Sequence, residues 1–143
     1  QAIEVEVDEA TGKVDVVEVW SAHDVGKAIN PQSVEGQIQG GVVQGIGYAL
    51  TESVEWDAGK VVNPTFMDYK ITGVLDVHFA IHQIIVEHPE ASGPFGAKGV
   101  GEPGLVGVAP AIRNAIAHAI DQRLAVMPFT PERVWAAVQG SAV

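Results

Sequence analysis

The residues Gly93-Pro94-Phe95-Gly96-Ala97-Lys98-Gly99-Val100-Gly101-Glu102-Pro103-Gly104 divide the chain and decide how its two halves are read. Five glycines and two prolines in these twelve residues exclude a regular helix or strand. Glycine costs about 1 kcal/mol per helical position relative to alanine, and proline about 3. The stretch is therefore a loop, and its glycines let the backbone approach a ligand closely. Leu105, Val108, Ala109, Ile112, Ile116 and Ile120 follow at intervals of three and four. That spacing predicts an amphipathic helix from Pro103, with a kink near Pro110. Glu102 thus stands at a loop-to-helix junction. Two readings of it stand side by side: an acid that the helix dipole favours, or a group placed there for chemistry.

Upstream, Ile3, Val5 and Val7 alternate with Glu4, Glu6 and Asp8, the period of a strand with one polar face. Asp8 to Gly12 reads as a turn. The returning strand, Val14 to Trp20, places Val14, Val16, Glu18 and Trp20 on one side and Val17 and Val19 on the other. Asp24 to Pro31 is a loop that ends in a helix start, with Asn30 as cap and Pro31 in the first turn. The helix carries Val34, Ile38, Val42, Ile46, Ala49 and Leu50 at helical spacing, but also Gly36, Gly40, Gly41, Gly45 and Gly47. Five glycines in place of alanines cost roughly 4–5 kcal/mol of helix propensity, which implies a neighbour that needs the space. Lys60–Val62 is a short strand, residues 65–72 are irregular, and Val77–Val86 is a buried strand. Leu124–Met127 is a further short strand, and Thr130-Pro131-Glu132 starts a final helix. The order predicts a single α+β domain over residues 1–143, its helices laid against a mostly antiparallel or mixed sheet.

Composition narrows the function. Eight Lys and Arg against 18 Asp and Glu give a net charge of −10, which argues against nucleic acid or an anionic membrane as partner. No apolar run is long enough to span a bilayer. The start at Gln1 lacks a leader pattern and opens directly on strand-like alternation, as if cut from something longer. Zero cysteines exclude disulfides, thiolate metal sites and iron–sulfur ligation within these residues.

Gly99-x-Gly101-x-x-Gly104 matches the dinucleotide-binding GxGxxG pattern. Its context is wrong, because Glu102 would set a carboxylate where a pyrophosphate should meet free amides. Of the five histidines only His78 and His82 have a metal-like interval. In a strand that interval separates them by about 13 Å, too far for one metal. No Gly-x-Ser-x-Gly elbow is present.

Two motifs carry a resemblance. Gly36-Gln37-Ile38-Gln39-Gly40-Gly41-Val42-Val43-Gln44-Gly45-Ile46-Gly47, preceded by Asp24-Val25-Gly26 and Asn30-Pro31, is similar to a hallmark of the molybdenum hydroxylases. That family includes xanthine dehydrogenase, aldehyde oxidase and carbon monoxide dehydrogenase. Gly96-Ala97-Lys98-Gly99-Val100-Gly101-Glu102-Pro103 resembles its second hallmark, and Thr130-Pro131-Glu132-Arg133-Val134 a stretch near its C-terminus. The motifs fall in the family's order, and the likeness covers nearly the whole chain.

The resemblance implies the C-terminal portion of a large, molybdopterin-binding subunit. The cofactor is then expected as molybdopterin with molybdenum, in its cytosine dinucleotide form. Glu102 would be the general base that activates a water-derived oxygen for attack on an electron-poor carbon, of an aldehyde or an N-heteroaromatic ring. Gln37, Lys98, Val100 and Gly101 would bind the cofactor, with no residue ligating the metal directly. The implied partners are the remainder of the subunit, FAD and [2Fe–2S] domains or subunits, and a small-molecule substrate. The location is expected to be cytoplasmic, and the chain alone is expected to be inactive. Alternatives from other classes are a non-catalytic assembly module of the same fold and a nicotinamide dinucleotide-binding domain.

Overall fold

Acidic residues alternate with Ile3, Val5 and Val7 along β1 (Ala2–Asp8), and a turn leads into β2 (Lys13–Asp24). The computed structural model describes residues 1–141. Gly12 closes the turn at φ +75°, and its N–H donates to the Asp8 carbonyl at 2.7 Å. A side chain there would strike the Pro131 carbonyl and come within 2.6 Å of the Trp135 nitrogen. The turn is therefore packed against the start of the last helix.

The register between β1 and β2 slips once. Glu4 faces Glu18 and Val5 faces Val16, which leaves Val17 without a partner. This is a β-bulge, and one extra residue reverses which side chains point inward. Val16 is buried and Val17 exposed, while beyond the bulge Val19 and Ser21 are wholly buried. The expected common face of Val14, Val16, Glu18 and Trp20 thus ends at Val16. Trp20 turns to the other face and stacks on His82, the ring centroids 5.6 Å apart.

β2 continues to Asp24 rather than ending near Trp20, and it pairs in parallel with β5 (Ala80–Val86). The sheet is mixed, in the order β1–β2–β5. As an edge strand β5 buries only one face, with Ile81 and Ile85 against the core and His82, Ile84 and Val86 exposed. Expecting a wholly buried strand over Val77–Val86 overlooked that open edge. His78 lies outside β5, so the same-face pair with His82 does not form.

Asn30 caps α1 (Pro31–Leu50), its Oδ1 accepting from the Ser33 N–H at 3.1 Å. Val34, Ile38, Val42, Ile46 and Ala49 form its buried stripe. Trp56–Asp57 (β3) and Lys60–Val61 (β4) make a small hairpin, and one helical turn, α2 (Phe66–Tyr69), lies within the stretch expected to be irregular. The next helical run breaks at Gly107 rather than Pro110, giving α3 (Pro103–Val106) and α4 (Val108–Ile120). Pro110 falls in the first turn of α4, where its missing N–H removes no helical bond. Gly107 is where a side chain would collide with the Gln1 amide. Leu124–Met127 forms no strand; Leu124 is buried, and its carbonyl accepts from Arg113 Nε. Thr130 caps α5 (Pro131–Val138). Val108, Ile112 and Ile116 of α4 and Val134 of α5 share one core with α1 and with Val16 and Val19 of the sheet. The result is the expected α+β arrangement of helices on a mixed sheet.

The glycines of α1 divide into two sets. A Cβ at Gly41 would lie 2.9 Å from the Gly104 carbonyl carbon, and one at Gly104 would lie 3.2 Å from the Ile38 Cα. The backbones of α1 and α3 are in direct contact there. Gly45 makes room for Val108, and Gly47 for the carboxylate of Glu52. The Glu52 carboxylate raises the pKa of the Tyr69 phenol to about 12. Gly36 and Gly40, by contrast, face open space.

This division gives a paired expectation for urea unfolding of the chain. Gly41→Ala forces two backbones apart, and overpacking of that kind costs about 1–3 kcal/mol. Gly36→Ala meets nothing and stabilises the helix by about 0.5–1 kcal/mol. Equal stability of the two variants would contradict the close approach.

Candidate functional site

Two loops are zipped together beside the end of β2. The residues after Asp24 and the glycine-rich loop form a bridge between Gly26 and Ala97. Lys27 N–H donates to the Gly96 carbonyl at 2.8 Å, and Lys98 N–H to the Val25 carbonyl at 3.0 Å. Gly26 sits at φ +66°, and a side chain on it would come within 2.8 Å of the Lys98 nitrogen. Ion pairs hold the same zipper. Lys98 Nζ lies 2.6 Å from Asp24 Oδ2, and Lys27 Nζ 2.9 Å from Glu87 Oε1. The Lys98 hydrogen bond, helped by the Gly26 N–H, lowers the pKa of Asp24. Lys27 and the Ala28 N–H lower that of Glu87 in the same way.

Beyond Lys98 the loop stops bonding to itself. The backbone N–H groups of Gly99, Val100, Gly101 and Glu102 have no acceptor among the described residues. Nothing approaches the Cα of Gly99 or Gly101, while the Val100 side chain packs against the core. Successive amides without an acceptor of their own leave donors free for an anionic or acceptor-rich ligand.

Glu102 is the residue before α3, at φ −109° and ψ −25°, but its side chain makes no capping bond. It is exposed, and its carboxylate has no hydrogen bond or ion pair among the described residues. The helix-capping explanation of this acid therefore has no bond to rest on. Gln37 lies on the facing helix, its carbonyl oxygen 3.4 Å from where a Cβ of Gly104 would sit. The crossing of α1 and α3 thus sets Gln37 and Glu102 on touching segments. Of the expected site residues, Gln37 meets α3 through its backbone at Gly104, and Val100, Gly101 and Glu102 lie in the segment that leads into α3. Lys98 is adjacent, but its ammonium is engaged by Asp24.

Three residues that the sequence reading did not select also reach this place. Gln1 Nε2 donates to the Gly104 carbonyl at 2.6 Å and to Ser21 Oγ at 2.9 Å. Ser21 Oγ lies 2.8 Å from His23 Nε2. His23, Gln1, Glu102, Pro103 and Val106 line one open cleft. Burial holds the His23 imidazole below its ordinary pKa. The available signal was the interval of two between Ser21 and His23, which puts both on one strand face. The bulge at Val17 hid which face that was.

The chain matches known proteins in both sequence and shape. Residues 1–78 match the family model described as molybdopterin cofactor-binding domain. The chain belongs to that family, within the molybdenum hydroxylases. It is 42% identical to the nicotine 6-hydroxylase large subunit of Paenarthrobacter nicotinovorans, over 97% of this chain and 17% of that protein. It is 38% identical to the xanthine dehydrogenase molybdenum-binding subunit of Escherichia coli O157:H7, over 93% of this chain and 18% of that one. The crystal structure of quinoline 2-oxidoreductase from Pseudomonas putida 86 superposes with a TM-score of 0.86 and 37% identity, covering 96% of this chain and 18% of that one. The chain therefore spans less than a fifth of the length of these relatives.

The Lys98–Asp24 pair predicts a pH-dependent contribution to stability. Asp24 has a folded pKa below the ordinary 3.8, so its contribution is full above that value and is lost as pH falls through the folded value. Lys98→Met should lower the urea midpoint at pH 7 and lower it by less at pH 2. A deficit of equal size at both values would show that the pair is not its source.

Proposed function

We propose that this chain is the base-supplying, cofactor-facing C-terminal portion of a molybdenum hydroxylase large subunit. The reaction is hydroxylation of an electron-poor carbon with oxygen drawn from water. The observation that carries this reading is a carboxylate, Glu102, with no partner among the described residues, beside the open amides of Gly99 to Glu102. The nearby carboxylates of Asp24 and Glu87 are each paired with a lysine. A charge left open in that setting is available to a reacting group.

The donor set suits the cofactor of the family. A phosphate-bearing pterin is rich in acceptors, and the amides of Gly99, Val100 and Gly101 offer donors with little side-chain obstruction. Gly36 and Gly40 leave the backbone beside Gln37 equally open. When bound, the molybdenum–pterin group supplies two-electron redox chemistry. In this assignment Gln37 and the Lys98–Gly101 loop orient that group. Glu102 takes the proton from the attacking oxygen, which requires its carboxylate within hydrogen-bond reach. The Lys98–Asp24 pair fixes the loop from behind, so that Glu102 is presented from a rigid support.

The same reading takes the cofactor in its cytosine dinucleotide form and assigns flavin and iron–sulfur centres to other domains or subunits of a cytoplasmic complex. No helix among the described residues is long and apolar enough to cross a membrane. Exposed apolar side chains support burial against the remainder of the subunit: Phe66, Met67, Val74, Leu75 and Phe95 are each at least 78% exposed. Relatives named for nicotine, quinoline and aldehyde oxidation keep both an N-heteroaromatic carbon and an aldehyde in the substrate class.

Glu102→Gln in the complete enzyme tests the assignment. Turnover should fall by a factor of at least about 10²–10⁴, the usual contribution of a general base, while molybdenum content stays near that of the wild type. Near-normal turnover would overturn the role of Glu102. Absence of molybdenum from the wild-type complex would point instead to a non-catalytic assembly module.

A further inference from the structure

The hydrogen bonds around Ser21 fix the protons of His23. The Gly104 carbonyl can only accept, so the atom 2.6 Å from it is the amide nitrogen of Gln1, and the amide orientation is settled. That nitrogen can only donate, so Ser21 Oγ accepts from it at 2.9 Å. The hydroxyl has one proton of its own to place. Ser21 is wholly buried, and His23 Nε2, at 2.8 Å, is the one acceptor its hydroxyl reaches among the described residues. If Nε2 carried a proton instead, the buried hydroxyl proton would be left without a partner. His23 Nε2 is therefore the acceptor, and in the neutral ring the proton is on Nδ1.

Nδ1–H has no acceptor among the described residues, and the Glu102 carboxylate has no donor. Both side chains line the same cleft. The titratable groups beside His23 are Glu102, on the same cleft, and the Asp24–Lys98 pair at the next residue. Glu102 is the acceptor among them that is not already engaged. The bulge at Val17 is what turns Ser21 inward and so allows this arrangement.

We propose that His23 is a positioning residue for Glu102: Ser21 and Gln1 lock it as the Nδ1–H tautomer, and that N–H serves the Glu102 carboxylate, directly or through one water. The proposal rests on Glu102 being the base, and its test separates the two ideas.

The experiment uses the complete enzyme. His23→Phe removes the donor. A carboxylate that loses a donor holds its proton more readily, so the acid limb of the kcat/KM profile should move up by about half to one pH unit. Ser21→Ala releases the tautomer and should give a smaller shift in the same direction. His23→Asn, which restores an N–H near the Nδ1 position, should return the limb towards the wild-type value. Neutron diffraction from crystals of the complete enzyme should show the ring deuteron on Nδ1. A deuteron on Nε2 alone overturns the proposal, as does an unmoved acid limb in His23→Phe when Glu102→Gln is inactive. If Glu102→Gln is active, the base assignment has failed, whatever His23 does.

Discussion

The constraint on which the rest depends is the contact of two backbones, Gly41 of α1 and Gly104 of α3. No side chain fits between them at a Cβ distance of 2.9 Å. Because these helices touch without intervening side chains, the loop just before α3 is set by main-chain atoms and cannot drift with rotamers. The Gly104 carbonyl then serves as the anchor for Gln1, which in turn holds Ser21 and, through it, His23. A single close approach therefore registers one helix, one loop and one strand end against one another.

Charge is distributed around this contact in an uneven way. The chain carries a net charge of −10, yet the carboxylates near the loop are tied down by specific donors. Asp24 is held by Lys98 and Gly26, Glu87 by Lys27 and Ala28, and Glu90 by Ser92. Glu102 alone in this neighbourhood lacks such a donor among the described residues. Pairing its neighbours limits the repulsion it would otherwise meet.

Much of this was legible in the sequence. Asn30-Pro31 and Thr130-Pro131 announced two helix starts, and the structure has both caps in place. The glycine content of α1 signalled a close neighbour, which proved to be a backbone at Gly41 but a side chain at Gly45 and Gly47. What could not be read depends on contacts between distant segments. The bulge adds one residue without any local mark, because Val17 is as good a strand former as its neighbours. The break at Gly107 rather than Pro110 is decided by Gln1, at the far end of the sequence. The pairing of Lys98 with Asp24 depends on a β-strand reaching further than periodicity suggested.

The parallel pairing of β2 with β5 has a kinetic consequence. Parallel neighbours cannot be joined by a tight turn, so the segment between them, α1 and the small β3–β4 hairpin included, must fold back before the third strand can add. Contacts of high sequence separation form only after the closure entropy of the intervening chain has been met. The β1–β2 hairpin and α1 draw on local contacts and precede that step, whereas the loop from Gly96 to Glu102 follows β5 and docks after it. During folding the cleft would thus stand open on the side of the glycine-rich loop, and its final wall would close last.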